Sequence, residues 1–293
     1  MTHSDLIDLD HLMIGVESHE AAIAAFTKLG FLHRSVRHLP PMGGGVAGGV
    51  GGSAVVMLRP LTDGAANFLE LAYLDEPYAQ PFMLPILKDV VGATMLVHGT
   101  RDAAALHGRW KAAGLDLLPL VELSIGVAQG GEDAGQDLKI IIPTGDQPVW
   151  CNACQYSTVS EFMIESLMDH PNGAVSWTGV VIVADDSVWD QTSDHLQVVY
   201  GADPANIDGG IRFQPSGLTI DMMSLAMLED QFGIKPSVDE ARPRIALVRV
   251  SVSDLNQTQA VLDANGAQYT TVPSGLVAEA SGLFIAFEPM TSA

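Results

Sequence analysis

Apolar and polar positions along the chain repeat one grammar four times. The first copy opens with LDHLMIGV, an apolar run of strand length, and passes into SHEAAIAAFTKLG. There Ala22, Ile23, Phe26 and Leu29 mark one helical face, and Gly30 can end the helix. Strand patterns follow in SAVVML and NFLELAYL. The second copy runs from ATMLVHGT through RDAAALHGRWKAAG, ending at Gly114, to LKIIIP and PVWCNACQY. The third begins WTGVVIVAD, continues through DSVWDQTSDHLQVVYG to Gly201, and closes with GGIRFQP and GLTIDMMS. The fourth begins RIALVRVSV, has DLNQTQAVLDANG to Gly266, and ends at GLVAEAS and LFIAFEP.

In each copy an apolar strand meets an Asp, Ser or Thr suited to cap a helix, and the helix stops on Gly before more strands. This is a βαβββ module. One such module has an uncovered sheet edge and too little core, so modules must pair into a curved sheet. Four modules therefore predict two paired units of α+β class. The turn residues Pro171, Asn172 and Gly173 in DHPNGAVSW divide them. The expected first domain is residues 1–170, with modules at about 7–75 and 91–157; the second is 171–293, with modules at about 175–225 and 243–289. STVSEFMIESLMD reads as a short linking helix, and PYAQPFMLPIL, with its prolines, as the connector between modules one and two. Whether module one pairs with two or with four stays open.

Composition agrees with a folded, two-domain chain. The 293 residues are 47% hydrophobic and 17% charged, and chains of this length divide into domains of roughly 150 residues. Fourteen Lys and Arg against 35 Asp and Glu give a net charge of -21, which repels nucleic acid and anionic membranes. MTHSDLIDLDH lacks the basic and apolar regions of a signal peptide, and no apolar run has the length of a bilayer crossing, so a cytoplasmic location is expected. Cys151 and Cys154 form a C-x-x-C, but within the extended segment PVWCNACQY residues three apart point to opposite faces, and no further zinc ligands follow nearby. They read as two small buried strand residues.

LDHLMIGV, the Ala-rich helix with KLGF, and NFLELAYL resemble the opening module of glyoxalase-like proteins of the vicinal oxygen chelate superfamily. CQYSTVSEF and DHPNGA resemble segments that join the two halves in one glyoxalase-like branch. The resemblance implies four βαβββ modules paired into two domains of the kind shared by glyoxalases, bleomycin-resistance proteins, epimerases, extradiol dioxygenases and metal-free binding proteins. So broad a range does not select a reaction.

The resemblance also implies a metal site. His11 and Glu70 stand in the first and last strands of module one, where the superfamily typically places ligands, and the ion implied is a divalent metal such as Fe, Zn, Mn, Ni or Co. By strand parity His11 should share a face with Leu9 and Met13, and Glu70 with Phe68 and Ala72. A histidine expected near CQ-x-x-T is replaced here by Tyr156, which could bind metal weakly or carry a proton. His98, in the first strand of module two, is the substitute ligand. His38, in RHLPPMGGG, is a candidate general base with a pKa near neutrality. The first strands of modules three and four hold no histidine, so these modules are expected to be structural or to wall the substrate. MGGGVAGGVGGS contains G-x-G-x-x-G, but a helix precedes it and a strand follows, the reverse of a dinucleotide fingerprint; it reads as a hairpin or lid.

Three functions follow as expectations. The first is a metal-dependent lyase or isomerase acting on a small apolar substrate with vicinal oxygens, with His11, Glu70 and His98 on the ion and Tyr156 or His38 moving a proton. The second is an extradiol-type dioxygenase, and the third a metal-free binding protein or cofactor-independent enzyme. The expected partner is a small molecule, with no nucleic acid and no membrane, and a homodimer is left open.

Overall fold

The computed structural model describes residues 5–37, 52–74, 84–88, 90–129, 132–236 and 242–290. Module one supplies β1 (Leu6–Gly15), β2 (Arg34–Arg37), β3 (Gly52–Met57) and β4 (Phe68–Tyr73), with helix α1 (His19–Lys28) after β1. Module two supplies β5 (Gly92–Thr100), β6 (Val121–Gln129), β7 (Glu132–Ile141) and β8 (Trp150–Tyr156), with α3 (Ala103–Ala112) after β5 and the short α2 (Leu84–Leu87) before it. Together they form one mixed eight-stranded sheet in the order β2-β3-β4-β1-β5-β8-β7-β6. Module one thus pairs with module two, through an antiparallel β1–β5 seam.

The second half repeats the plan. Its strands are β9 (Ala174–Val183), β10 (Ala205–Ile207), β11 (Gly210–Phe213), β12 (Thr219–Met223), β13 (Arg244–Val252), β14 (Tyr269–Val272), β15 (Gly275–Ala280) and β16 (Leu283–Pro289). Their order is β10-β11-β12-β9-β13-β16-β15-β14. Helices α5 (Trp189–Tyr200), α6 (Leu225–Phe232) and α7 (Leu255–Ala264) accompany them. The helix stops lie where the pattern puts them: α5 ends on Gly201 at φ 64, a left-handed conformation that costs a residue with a Cβ more than it costs glycine. Between the halves, the linking segment makes one turn of helix, α4 (Val159–Phe162), then a 3-10 turn over Glu165–Leu167.

One face of each sheet packs into a single shared core. Leu9, Leu12, Leu69 and Trp110 from the first half and Trp177, Leu196, Val248 and Phe287 from the second belong to the same buried cluster. The opposite faces hold separate clusters, one pair on the first sheet and one on the second. Cys151 and Cys154 show the division: both are buried and free, Cys151 in the shared core and Cys154 on the opposite face. Among the described residues no helix is long and apolar enough to cross a membrane.

Polar side chains stitch the halves together. Asp8 is 1% exposed and accepts from Thr62 Oγ1 at 2.7 Å and from the backbone N–H groups of Gly217 and Leu218, each at 3.1 Å. Asn67 donates to Trp177 O at 3.1 Å and accepts from Trp177 N at 3.0 Å, completing a strand-like pair across the junction. In DHPNGA, His170 Nε2 donates to Met57 O at 2.7 Å while Nδ1 accepts from Leu32 N at 2.9 Å. Asn172 Nδ2 donates to Leu29 O at 2.8 Å. A hydrogen bond to a carboxylate contributes about 1.5–3 kcal/mol and a neutral one about 1 kcal/mol, so these contacts hold the junction without a disulfide.

His98 is a further stitch, fully buried. It is 0% exposed; Nδ1 donates to Asn152 O at 2.9 Å, which leaves Nε2 to accept from Tyr200 OH at 3.0 Å. Burial lowers its pKa to about 4. The unfolded chain takes up that proton from about pH 6.5 downward, whereas the folded chain resists until about pH 4. The contribution is therefore complete above about pH 6.5 and is lost as the pH falls toward 4, a change of about 3 kcal/mol. Urea unfolding at pH 7.5 and pH 4.5 should show the fall, and His98→Gln should flatten that part of the profile while lowering stability at pH 7.5. An unchanged profile in the variant would show that His98 does not carry this linkage.

Candidate active site

β1 carries His11, and an irregularity in its pairing aims the side chain. The register between β1 and β5 shifts between Leu9 and His11. Such a bulge turns neighbouring side chains out of strict alternation. Leu9 consequently lies in the shared core, not beside His11 as parity alone predicts, while Met13 stays on the His11 side. Glu70 follows parity: Leu69 and Leu71 enter the shared core, whereas Phe68 and Ala72 lie on the opposite face. His11 and Glu70 thus meet inside the cup of the first sheet.

His11 Nε2 lies 3.5 Å from Glu70 Oε2, and both side chains are nearly sealed from solvent. On the other side of the ring, His11 Nδ1 donates to Asp10 Oδ1 at 2.7 Å. Phe68 stacks on the imidazole, centroids 4.3 Å apart and planes 11° from parallel. Phe162 packs on both Phe68 and Tyr156, at 5.0 Å and 5.7 Å, and Arg34 lies over its ring at 4.7 Å. Asp10 also accepts from Tyr156 OH at 2.9 Å and from Ala66 N at 3.3 Å. Burial, reinforced by Asp10, pushes the Tyr156 pKa well above the ordinary phenol value, so Tyr156 keeps its proton at neutral pH and acts as a donor.

Asn152 is the residue that sequence reading missed. It lies opposite Val97, which lies opposite His11, so one rung across β4, β1, β5 and β8 reads Phe68, His11, Val97, Asn152. Cα atoms two strands apart in a rung are about 10 Å apart, near enough for two side chains to approach one small molecule. Asn152 is 9% exposed and its Oδ1 is buried without a hydrogen-bond partner. Module symmetry gives the place a meaning: Met13 lies five residues before the Ser18 cap and pairs with Glu70, and Val97 lies five before the Asp102 cap and pairs with Asn152. Asn152 is the module-two counterpart of Glu70.

The same count shows why His98 does not join the site. The counterpart of His11 is Met95, three residues before His98, and an odd interval along a strand points the other way. The structure places His98 on the helix side, with both ring nitrogens engaged and Trp110 against its edge. His38 and the glycine-rich run as far as Gly51 lie outside the described residues; Gly52 and Ser53, the last two residues of the run, begin β3.

The residues fit a divalent ion as part of an open site. Metal–N and metal–O bonds of about 2.1 Å at roughly right angles put two cis donors about 3 Å apart, close to the 3.5 Å found, which is long for a direct hydrogen bond. The Asp10 bond to His11 Nδ1 fixes the tautomer that leaves Nε2 free to ligate. Asn152 Oδ1, a neutral oxygen left without a hydrogen-bond partner, could serve as a further donor. Among the described residues no group of three His, Cys, Asp or Glu side chains is gathered to hold a metal.

The second cup is built differently. Asp221 pairs with Val181 as Glu70 pairs with Met13, and two residues earlier on β9, where β1 has His11, stands Gly179. Arg249 sits opposite Gly179. Asp221 is 0% exposed and bound by Arg212, Nε at 2.5 Å and Nη2 at 2.8 Å, and by Arg249 Nη1 at 2.7 Å. Glu288 lies 3.7 Å from Arg249 Nε, and Arg249 covers Phe232 of α6, which with Leu228 fills the apolar part. Guanidinium groups take the space of a ligand, so this cup is closed by its own ion pairs.

Comparison with known proteins agrees with this architecture. A family model described as a glyoxalase-like domain matches residues 9–199. Comparison with curated protein sequences finds no match. Among solved structures, a hypothetical protein from Staphylococcus aureus is similar at TM-score 0.64 and 11% identity, covering 96% of this chain and 99% of that one. A mutant 4-hydroxymandelate synthase from Streptomyces coelicolor is similar at 0.59 and 13% identity, covering 98% and 94%. The Mn(II)-bound glyoxalase from Novosphingobium aromaticivorans is similar at 0.56 and 10% identity, covering 98% and 83%. At such identities these likenesses speak for the fold. With the family model matching well over half of its length, the chain belongs to the glyoxalase-like family of the vicinal oxygen chelate superfamily.

Proposed function

We propose that the first cup is the active site of a metal-dependent lyase or isomerase acting on a small, mostly apolar substrate with adjacent oxygen atoms. The observation that carries this reading is the approach of His11 Nε2 to Glu70 Oε2, 3.5 Å, with the far side of the imidazole anchored on Asp10. His11 and Glu70 would hold the ion and Asn152 would add an oxygen donor. A divalent ion held there supplies Lewis-acid stabilisation of negative charge on a substrate oxygen. Met13, Met95, Val97 and Trp150 line the same face, form an apolar wall and exclude water from the reacting centre. Tyr156 holds Asp10 in place and, being protonated, can give a proton but not take one. His38 is the remaining proton carrier in this reading.

A second reading draws on the donor set: among the described residues no third His, Cys, Asp or Glu is placed to share an ion with the pair, since Asp10 is turned to the far side of the imidazole. In it, the same cup works without metal, with the His11–Asp10 pair moving the proton, as a hydrogen-bonded imidazole can. One assay separates the two: deuterium exchange into small α-hydroxy ketones, run with Mn, Co, Ni, Zn or ferrous ion and again with chelator. The metal reading expects exchange that the chelator abolishes. Exchange that survives it establishes the second reading, and no exchange under any condition overturns both.

Binding gives an independent check. The purified chain equilibrated with each metal and desalted should retain about one equivalent of the preferred ion, and His11→Ala should retain almost none. Asp10→Asn should weaken metal affinity by about 10–100-fold, the usual cost of losing a group that orients a ligand. Tyr156→Phe, which removes one donor to Asp10, should cost less than Asp10→Asn. Equal retention by the parent chain and His11→Ala would remove His11 from the site.

A further inference from the structure

The side chains of His11 and Glu70 are only 9% and 10% exposed, so a ligand reaches them only after some cover moves. Strands β1 and β4, which carry the two residues, are paired on both sides, and such ladders open only with a large part of the fold. The linking segment between the halves is tied differently. It lies on the concave face of module one, where Phe162 and Met168 join Met57 and Phe68 in one apolar cluster. Phe162 packs on Phe68 at 5.0 Å and on Tyr156 at 5.7 Å. One ring, Phe68, therefore separates Phe162 from the imidazole on which Phe68 stacks.

Both ends of the segment are fixed. Ser157 N donates to Asp137 O at 2.9 Å, and His170 is bonded to Met57 O and Leu32 N. Between them, among the described residues, the backbone bonds are local: Met163 to Val159, Leu167 to Ile164 and Met168 to Glu165. The polar ties described to the sheet are few. Ile164 N donates to Met57 Sδ at 3.3 Å, and thioether sulfur is a weak acceptor. Arg59, two residues past β3, makes ion pairs through Nη1 with Glu165 Oε1 and through Nη2 with Asp169 Oδ1, each at 2.6 Å. Its own backbone is held by the second half: Arg59 N donates to Val175 O and Arg59 O accepts from Ser176 Oγ, both at 2.7 Å. One anchored guanidinium thus clasps the segment at two points. Glu165 and Asp169 are 74% and 71% exposed, so water and salt weaken these pairs, and each shifts an opening equilibrium by up to about five-fold.

We propose that residues 158–169 form a strap over the first cup, latched shut by the Arg59 ion pairs, and that its opening admits the ligand to His11 and Glu70. The strap's role rests on the first cup being the ligand site. Opening lifts Phe162 from Phe68 and Tyr156; closing returns it and keeps water from the imidazole and the carboxylate. The cup carries its own reporter of this movement. Cys154 is buried on the cup face of β8, two residues before Tyr156, whereas Cys151 is buried in the shared core. Burial, reinforced by Asp10 and Glu70, raises the Cys154 pKa, so this thiol stays protonated and unreactive while the cup is shut.

N-ethylmaleimide labelling of the full chain, mapped to each cysteine by mass spectrometry, reads the opening without any metal. Cys154 should be labelled well before Cys151. Raising KCl from about 0.05 M to about 1 M should accelerate Cys154 labelling several-fold, because salt screens the latch. Arg59→Gln should accelerate it about three- to twenty-fold at low salt and remove most of the salt response. Glu165→Gln, which breaks one of the two pairs, should have a smaller effect, and Arg59→Lys, which keeps the charge, should lie closer to the parent chain than Arg59→Gln does. Cys151 labelling should stay slow in every variant. Cys154 labelled no faster in Arg59→Gln than in the parent, a salt response that persists in that variant, or one common rate for both cysteines would each overturn the strap; the last would make global unfolding the route into the cup. Metal retention that fails while Cys154 labelling still answers to Arg59 would leave a gated cup that takes another ligand. Metal retention with labelling indifferent to Arg59 would leave the cup and remove the strap.

Discussion

A carboxyl group sealed from water costs several kcal/mol unless donors replace the solvent it has lost. Asp10 is 0% exposed, and the donors that replace its water come from separate parts of the first domain. His11 is its chain neighbour, Tyr156 ends β8 in the other module, and Ala66 offers its backbone N–H just before β4. The β1–β5 seam, the β5–β8 pairing and the approach to β4 must all be formed before this one group is satisfied. The contacts that satisfy it also fix the His11 ring and its free nitrogen. Stability of the first sheet and geometry of the candidate site thus rest on the same carboxyl group, and a change that loosened one would loosen the other.

Much of this was legible in the sequence, for physical reasons that can be named. The modules could be read because caps, glycine stops and apolar strands are local signals: Ser18 and Asp102 cap helices where the pattern places them, and Gly201 ends one. The strands that went unread were β2, β6, β10 and β14, all of them lying at sheet margins. RSVR, ANI and YTTV are three or four residues long, and ANI and YTTV bury little, so they lack the apolar run that announces a central strand. The pairing of modules was beyond the sequence because it depends on contacts between residues that are distant along the chain.

The site was legible in part. His11 and Glu70 do meet, since each sits on a strand face set by alternation and only a small register shift intervenes. That shift is what parity could not foresee; it sends Leu9 to the core and brings the Asp10 carboxyl against the imidazole. For His98 the helix cap is the fixed point: counted from Asp102, the counterpart of His11 is Met95, and His98 lies three residues beyond it, an odd interval that turns it to the other face. Asn152 carried a usable signal through its partner Val97, which lies five residues before its cap as Met13 does, but reading it requires the β5–β8 register. Histidine identity alone draws attention to the wrong side chain in module two.

The arrangement of cores explains how one architecture can hold two such different cups. Both sheets give one face to a common core and keep the other to themselves, so the residues that join the halves and those that line the cups are different sets. In the first sheet the private face keeps an imidazole, a carboxylate and an unpaired amide. In the second, Gly179 stands where the first has its imidazole, Arg249 reaches Asp221, and the charges that could hold a ligand neutralise each other. Neither choice touches Trp110, Trp177 or Phe287, which are buried on the shared side. The fold constrains where chemistry can occur, the concave faces, while leaving its nature to a few positions whose substitution the common core does not feel.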